Sequence, residues 1–153
     1  MFQHLLIPLD GSPLAEAAIP AGVSLATRLN CQITLLRVSH SPYIATSMTG
    51  AATYAELLND LNRQSRLEAE AYLSDQREKL LAAGVTQVNL SVIESDQIAE
   101  AILAEIQRSD IDTLIMSTHG RGGISRLVFG SVADKVLRQA TIPIILIRAT
   151  DAA

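Results

Sequence analysis

The sequence predicts an α/β fold, an open parallel sheet of five strands with helices on both faces. Three observations carry this. Five short, β-branched-rich runs alternate with helical patterns along the chain, and such alternation implies parallel strands joined by right-handed crossovers. The second to fifth of these runs are apolar at nearly every position, as strands covered on both faces are. The 153 residues, 48% apolar and only 18% charged, suit one domain, spanning residues 1–153, with enough apolar surface to build a core.

In chain order, the first strand is expected from His4 to Leu9. Pro13 opens the first helix at a position where its missing N–H is harmless, and Pro20, inside an Ala-rich pattern reaching Leu29, predicts a kink. Gln32 to Val38 is the second strand. Ser39 to Thr53, rich in Ser, Thr, Ala and Gly without a period, is expected to be a long βα loop. The longest helix follows from about Ala55 to Ala83, with Gly84 where a C-cap belongs. Gln87 to Ile93 is the third strand. In the next helix, Gln97 to Arg108, Ile98, Ile102 and Ile106 recur every four residues and mark a buried stripe. Thr113 to Ser117 is the fourth strand, Ser131 to Gln139 the last helix, and Ile142 to Ile147 the fifth strand.

Composition removes several functions. Lys and Arg number 12 against 16 Asp and Glu, a formal charge of -4, and no dense basic run could neutralise a phosphate backbone. No apolar run approaches the ~20 residues that span a bilayer. Met1 to Leu9 lacks a cationic region, is broken by Pro8 and is closed by Asp10, so it does not read as a secretion signal and a cytoplasmic location is expected. Cys31 is the only cysteine, and His4, His40 and His119 lie far apart. Neither an internal disulfide nor a structural metal is expected.

In open parallel sheets, ligands bind outside the carboxyl ends of the strands, where the winding direction reverses. Two stretches with unusual chemistry fall at such ends. After the first strand, Pro8-Leu9-Asp10-Gly11-Ser12 brings a carboxylate, a flexible glycine and a hydroxyl before Pro13. Asp10 could accept hydrogen bonds from ribose hydroxyls, or Asp10 or Ser12 could simply cap the helix. After the fourth strand, the segment from Ser117 to Ser131 holds Gly120, Gly122, Gly123 and Gly130. Glycines there let backbone amides approach a ligand, and the helix starting at Ser131 offers unpaired N–H groups to an anion. The alternative is a glycine-rich turn with Ser131 as an ordinary N-cap. Sharper nucleotide signatures are absent: there is no G-x-x-x-x-G-K-[ST], and the first βα turn lacks G-x-G-x-x-G. His119 is the one histidine near this region, without a motif that would make it part of a nucleophilic triad.

At these residues the chain resembles the universal stress protein family, whose nucleotide-binding members carry G-x2-G-x9-G-[ST] after the fourth strand. The matching residues are Ser117-x2-Gly120-x9-Gly130-Ser131, with serine in place of the first glycine. The opening from His4 to Ser12 and the run from Gln32 to Val38 resemble the family's first two strands, and the likeness covers essentially the whole chain. The resemblance implies a Rossmann-like sheet of order 3-2-1-4-5, which would bring Asp10 and the Ser117 to Ser131 segment into one crevice. It further implies that Asp10 meets a ribose, that Val38 offers backbone to adenine, and that Gly120, Gly130, Ser131 and Val132 hold phosphates. Pro8 and Met116 would form the wall, and the side chain of Ser117 would crowd the nucleotide. The implied function is a stress-response protein that binds ATP or a related adenine nucleotide, with Mg2+ entering alongside the phosphates, and acts as a nucleotide-dependent regulatory dimer. No dedicated catalytic group is required. The alternatives are a dimeric scaffold that binds no nucleotide and a slow ATP hydrolase. In the implied order the fifth strand is an edge that is apolar at both parities, which exposed edges avoid. A second copy is expected to cover it through Ile142, Ile144, Ile145, Leu146 and Ile147.

Overall fold

The computed structural model describes residues 2–39, 51–119 and 130–149. Ten elements follow one another: β1 (His4–Pro8), α1 (Pro13–Glu16), α2 (Ile19–Leu29), β2 (Gln32–Ser39), α3 (Ala51–Ala82), β3 (Val88–Glu94), α4 (Ile98–Arg108), β4 (Thr113–His119), α5 (Ser131–Gln139) and β5 (Ile144–Ala149). The strands form one parallel sheet in the order β3-β2-β1-β4-β5.

The continuous apolar character of the strands has a direct cause, because successive side chains point to opposite faces and both faces are covered. Leu5, Ile7, Ile33, Leu35 and Ile115 join Ala26 of α2 and Leu73 and Leu80 of α3 in one core cluster. Their chain neighbours Leu6, Leu36, Leu114 and Met116 join Ala99, Ile102 and Ile106 of α4 and Ala133 and Val136 of α5 in the other.

Element boundaries moved where proline or capping decides them. The chain does not kink at Pro20. It breaks before it, at Ala17 and Ala18, so that Pro20 falls in the first turn of a new helix, where no N–H is needed. The fifth strand begins at Ile144 instead of Ile142, since Pro143 has no N–H for the ladder. The long helix starts at Ala51, inside the segment expected as loop, and residues 40–50 of that segment lie outside the described residues. At its other end the Gly84 N–H bonds the Leu81 carbonyl and the Val85 N–H the Leu80 carbonyl, with Gly84 at a φ of 97°. These paired bonds close the last turn in the left-handed conformation that glycine accepts without strain.

Two ladders matter for function. β1 and β2 pair from His4↔Gln32 to Pro8↔Leu36, whereas β1 and β4 pair only at Leu5↔Thr113 and Leu6↔Leu114. Beyond Leu6 these central strands part, and a crevice opens at their carboxyl ends. At the far edge the Leu114 N–H donates to the Pro143 carbonyl at 3.0 Å, with Leu114 opposite Ile144. Bonding alternates along a parallel strand, so Ile145 and Ile147 turn their backbone groups toward β4. Those of Ile144, Leu146 and Arg148 face the open edge.

At the amino-terminal end of the sheet, the buried His4 ring sets Nε2 2.7 Å from Thr34 Oγ1. Burial pushes the His4 pKa below its ordinary value of 6.5, against the pull of Asp112, the Ser109 backbone, Glu105 and Asp110. A base depressed in this way is favoured neutral in the folded state. Its contribution to stability is complete above the unfolded value and is lost as pH falls through it. Urea unfolding is expected to lose midpoint between about pH 7 and pH 5, above the range where carboxylates titrate. His4→Gln should flatten that slope. A wild-type midpoint that stays constant over the window would contradict the assignment.

Candidate functional site

The crevice between β1 and β4 is part of a cleft of about 630 Å³, within the range of small-ligand sites. Its floor and walls come from the carboxyl ends of three strands: Pro8, Leu9 and Asp10 after β1, Leu36 to Ser39 on β2, and Met116 to Thr118 on β4. Gly130 to Ala133 at the start of α5, Ile98 and Ile102 of α4, Ser65 of α3, and Ser12, Leu14 and Ala15 at α1 complete it. Pro8, Asp10, Val38, Met116, Ser117, Gly130, Ser131 and Val132, all singled out in the sequence, line this one cleft. Gly120, Gly122 and Gly123 lie outside the described residues, as does the side chain of His119.

Ser12 caps α1, and Asp10 holds the turn that precedes it. The Ser12 N–H donates to Asp10 Oδ1 at 2.8 Å, and Ser12 Oγ accepts from the Ala15 N–H at 3.1 Å. Burial pushes the Asp10 carboxyl up, but hydrogen bonds from the Ser12 side chain and backbone, with the Arg37 charge nearby, hold it below the ordinary value. Asp10 is therefore an anion at neutral pH. A carboxylate has lone pairs for about four hydrogen bonds, so the turn leaves it room for further donors. Gly11, at a φ of 86°, occupies a conformation that L side chains rarely adopt, and this lets the chain turn between Asp10 and Ser12.

The start of α5 is built differently. Gly130, not Ser131, holds the N-cap position, and no side chain caps the helix. The first amides of α5 thus carry the partial positive charge of a helix end without a protein acceptor from a cap. Among the described residues a Cβ on Gly130 would meet nothing within 4 Å. Lys135, one turn on, is paired with Glu100 of α4, which anchors α5 to its neighbour.

Ser117 lines the cleft and has a partner within the protein. Its hydroxyl donates to the Leu14 carbonyl and ties the end of β4 to α1.

Sequence reasoning missed Arg37. It stands alone as a charge near the carboxyl end of an apolar strand, and that isolation was the available signal. Its guanidinium lies over the Tyr72 ring, 5.0 Å from the centroid, and Nη1 would sit 2.7 Å from a Cβ at Gly11. Tyr72 Oη donates to Glu16 Oε1 at 2.8 Å, and Gln76 Nε2 donates to the same oxygen at 3.2 Å. Burial, followed by the bond to Glu16, holds the Tyr72 phenol well above its ordinary value. The ring is a neutral, fixed platform beneath the arginine.

Comparison with known proteins gives one family. The model described as "Universal stress protein family" matches residues 1–148. Universal stress protein YxiE of Bacillus subtilis is 25% identical over 150 residues, covering 97% of this chain and 100% of the relative. Among solved structures, universal stress protein UspA from Lactobacillus plantarum superposes with a TM-score of 0.78 at 20% identity, over 96% of this chain and 98% of that one. A universal stress protein from Archaeoglobus fulgidus in complex with dAMP superposes with a TM-score of 0.67 at 15% identity, over 95% and 98%.

Proposed function

Because the chain belongs to the universal stress protein family, we propose that it binds ATP or a related adenine nucleotide in the β1–β4 cleft and acts in the stress response as a nucleotide-dependent regulatory dimer. One observation carries the reading: an anionic acceptor, Asp10, and the uncapped start of α5 face the same cleft from opposite sides of the strand divergence. A nucleotide has the complementary chemistry, with hydroxyl donors on its ribose and anionic oxygens on its phosphates. Asp10 takes the ribose, the Val38 backbone meets adenine, and the amides at Gly130, Ser131 and Val132 take the phosphates, a role the resemblance also gives to Gly120, outside the described residues. Pro8 and Met116 form apolar wall, and Ser117 braces β4 against α1. A similar structure in complex with dAMP supports the ligand class. Mg2+ enters with the phosphates.

The partner is a second copy at β5. Its outward backbone groups at Ile144 and Leu146 form an unpaired apolar edge, and antiparallel pairing about a two-fold axis would satisfy them, with Ile142, Ile145 and Ile147 packing alongside.

Titration calorimetry with ATP and Mg2+ tests the binding. Heat and thermal stabilisation are expected, reaching about 2.7 kcal/mol when ligand is at a hundred times Kd. Asp10→Ala should weaken ATP about ten- to a hundredfold, the worth of a hydrogen bond to a charged group, and leave inorganic phosphate unaffected. The absence of both heat and stabilisation at millimolar nucleotide would overturn the assignment.

A further inference from the structure

We infer that Arg37 equips the cleft for adenine nucleotides that carry a second phosphate on the ribose, at the 2′ or 3′ oxygen. The inference rests on the proposed nucleotide site and extends it. Arg37 lines the cleft, and its guanidinium is set against Gly11, the residue after the carboxylate assigned to the ribose. Its orientation is built: Gln76, only 5% exposed, and Tyr72 both bond Glu16, and the Tyr72 ring lies under the guanidinium. Yet among the described residues no hydrogen bond or ion pair engages that guanidinium, Asp10 included. A guanidinium has five N–H donors in a fixed fork suited to phosphate. An aromatic platform fixes its plane without occupying those donors. The result is a cation positioned in advance beside the ribose.

A single 5′-phosphate seated at the start of α5 does not reach Arg37. Arg37 shares the α3 face of the sheet with Ile33 and Leu35, whereas α5 packs on the opposite face. β1 separates β2 from β4, and two strand spacings amount to about 10 Å. One phosphate cannot bridge the start of α5 and Arg37. A ligand with anions at both ends of its sugar can, and in nucleotide sites of related topology an arginine beside the ribose acidic residue accommodates a ribose phosphate.

The test is a calorimetric panel of AMP, adenosine 2′,5′-bisphosphate and adenosine 3′,5′-bisphosphate on the full chain, wild type and Arg37→Gln. One bisphosphate should bind the wild type at least tenfold tighter than AMP, and which one reports the oxygen that Arg37 reads. Arg37→Gln should abolish that preference and leave AMP within about twofold, as expected for a charge-assisted bond to the added group alone. AMP binding with no preference for either bisphosphate in the wild type overturns this inference and leaves the nucleotide site standing. Equal losses for AMP and bisphosphate in Arg37→Gln overturn it too, because they would place Arg37 on the common part of the ligand. Binding of none of the three overturns both. The wild-type comparison needs no variant, so a misfolded Arg37→Gln chain would not shelter the idea.

Discussion

Replacing Gly130 with valine is expected to lower ATP affinity ten- to a hundredfold while the free protein stays folded. The two effects separate for a structural reason. Gly130 has a φ of -57° and a ψ of 155°, ordinary extended backbone that valine adopts, and a Cβ there meets nothing within 4 Å among the described residues. The substitution therefore introduces no clash with those residues, and the loss of a favourable N-cap residue costs about 1 kcal/mol. In the cleft the same branched side chain stands in front of the Ser131 and Val132 amides and keeps phosphate oxygens out of hydrogen-bond range. Charge-assisted bonds to such amides are worth about 1.5–3 kcal/mol each, which sets the expected fold-change. Calorimetry on the valine variant decides it: an unchanged Kd would mean that phosphates do not use the start of α5.

Leu146→Pro is expected to convert a dimer into a folded monomer. Proline removes one N–H, and the strand register decides whose hydrogen bond that is. With the Leu114 N–H bonded to the Pro143 carbonyl, the groups of Leu146 face away from β4, so the β4–β5 ladder keeps its bonds. What is lost is a donor to the second copy, together with room for its close approach. Sedimentation at tens of micromolar should show the shift, with circular dichroism confirming an intact fold. Ile145→Pro makes the contrast, because its N–H belongs to the internal ladder and its loss should lower stability in monomer and dimer alike. A wild-type monomer, well folded and soluble at that concentration, would end the dimer proposal.

The alternation of strands and helices made the sheet legible, because burial on both faces leaves a mark at every residue: Leu5 and Leu6 serve different cores, yet both must be apolar. The strand order came through resemblance, since alternation alone does not say which strands are neighbours. Boundaries governed by one residue, such as Pro143 or Gly84, could be located to within two residues. The Ser12 cap was legible as one of two readings of the same turn, and the structure accommodates it without withdrawing Asp10 from the cleft. The contacts of Ser117 and Arg37 could not be read. The serine hydroxyl finds the carbonyl of Leu14, and the arginine finds Tyr72 on α3. Neither partner lies near in sequence or within a periodic pattern, so only the three-dimensional packing of α1 and α3 against the strand ends brings them together.

The position of β1 also has a consequence for the chain as it is made. β1 is the central strand, flanked by β2 and β4, and it leaves the ribosome before the other four. Its β2 side can be paired as soon as residues 32–39 have emerged, but Leu5 and Leu6 meet Thr113 and Leu114 only after about 75 more residues of synthesis. At roughly 5–20 residues per second that is an interval on the order of ten seconds. Throughout it the nascent chain holds an apolar strand with one open edge, built from the residues that will be among the most deeply buried in the finished protein. Until β4 arrives, any sheet formed by β1, β2 and β3 has α2 and α3 available to cover only one of its faces.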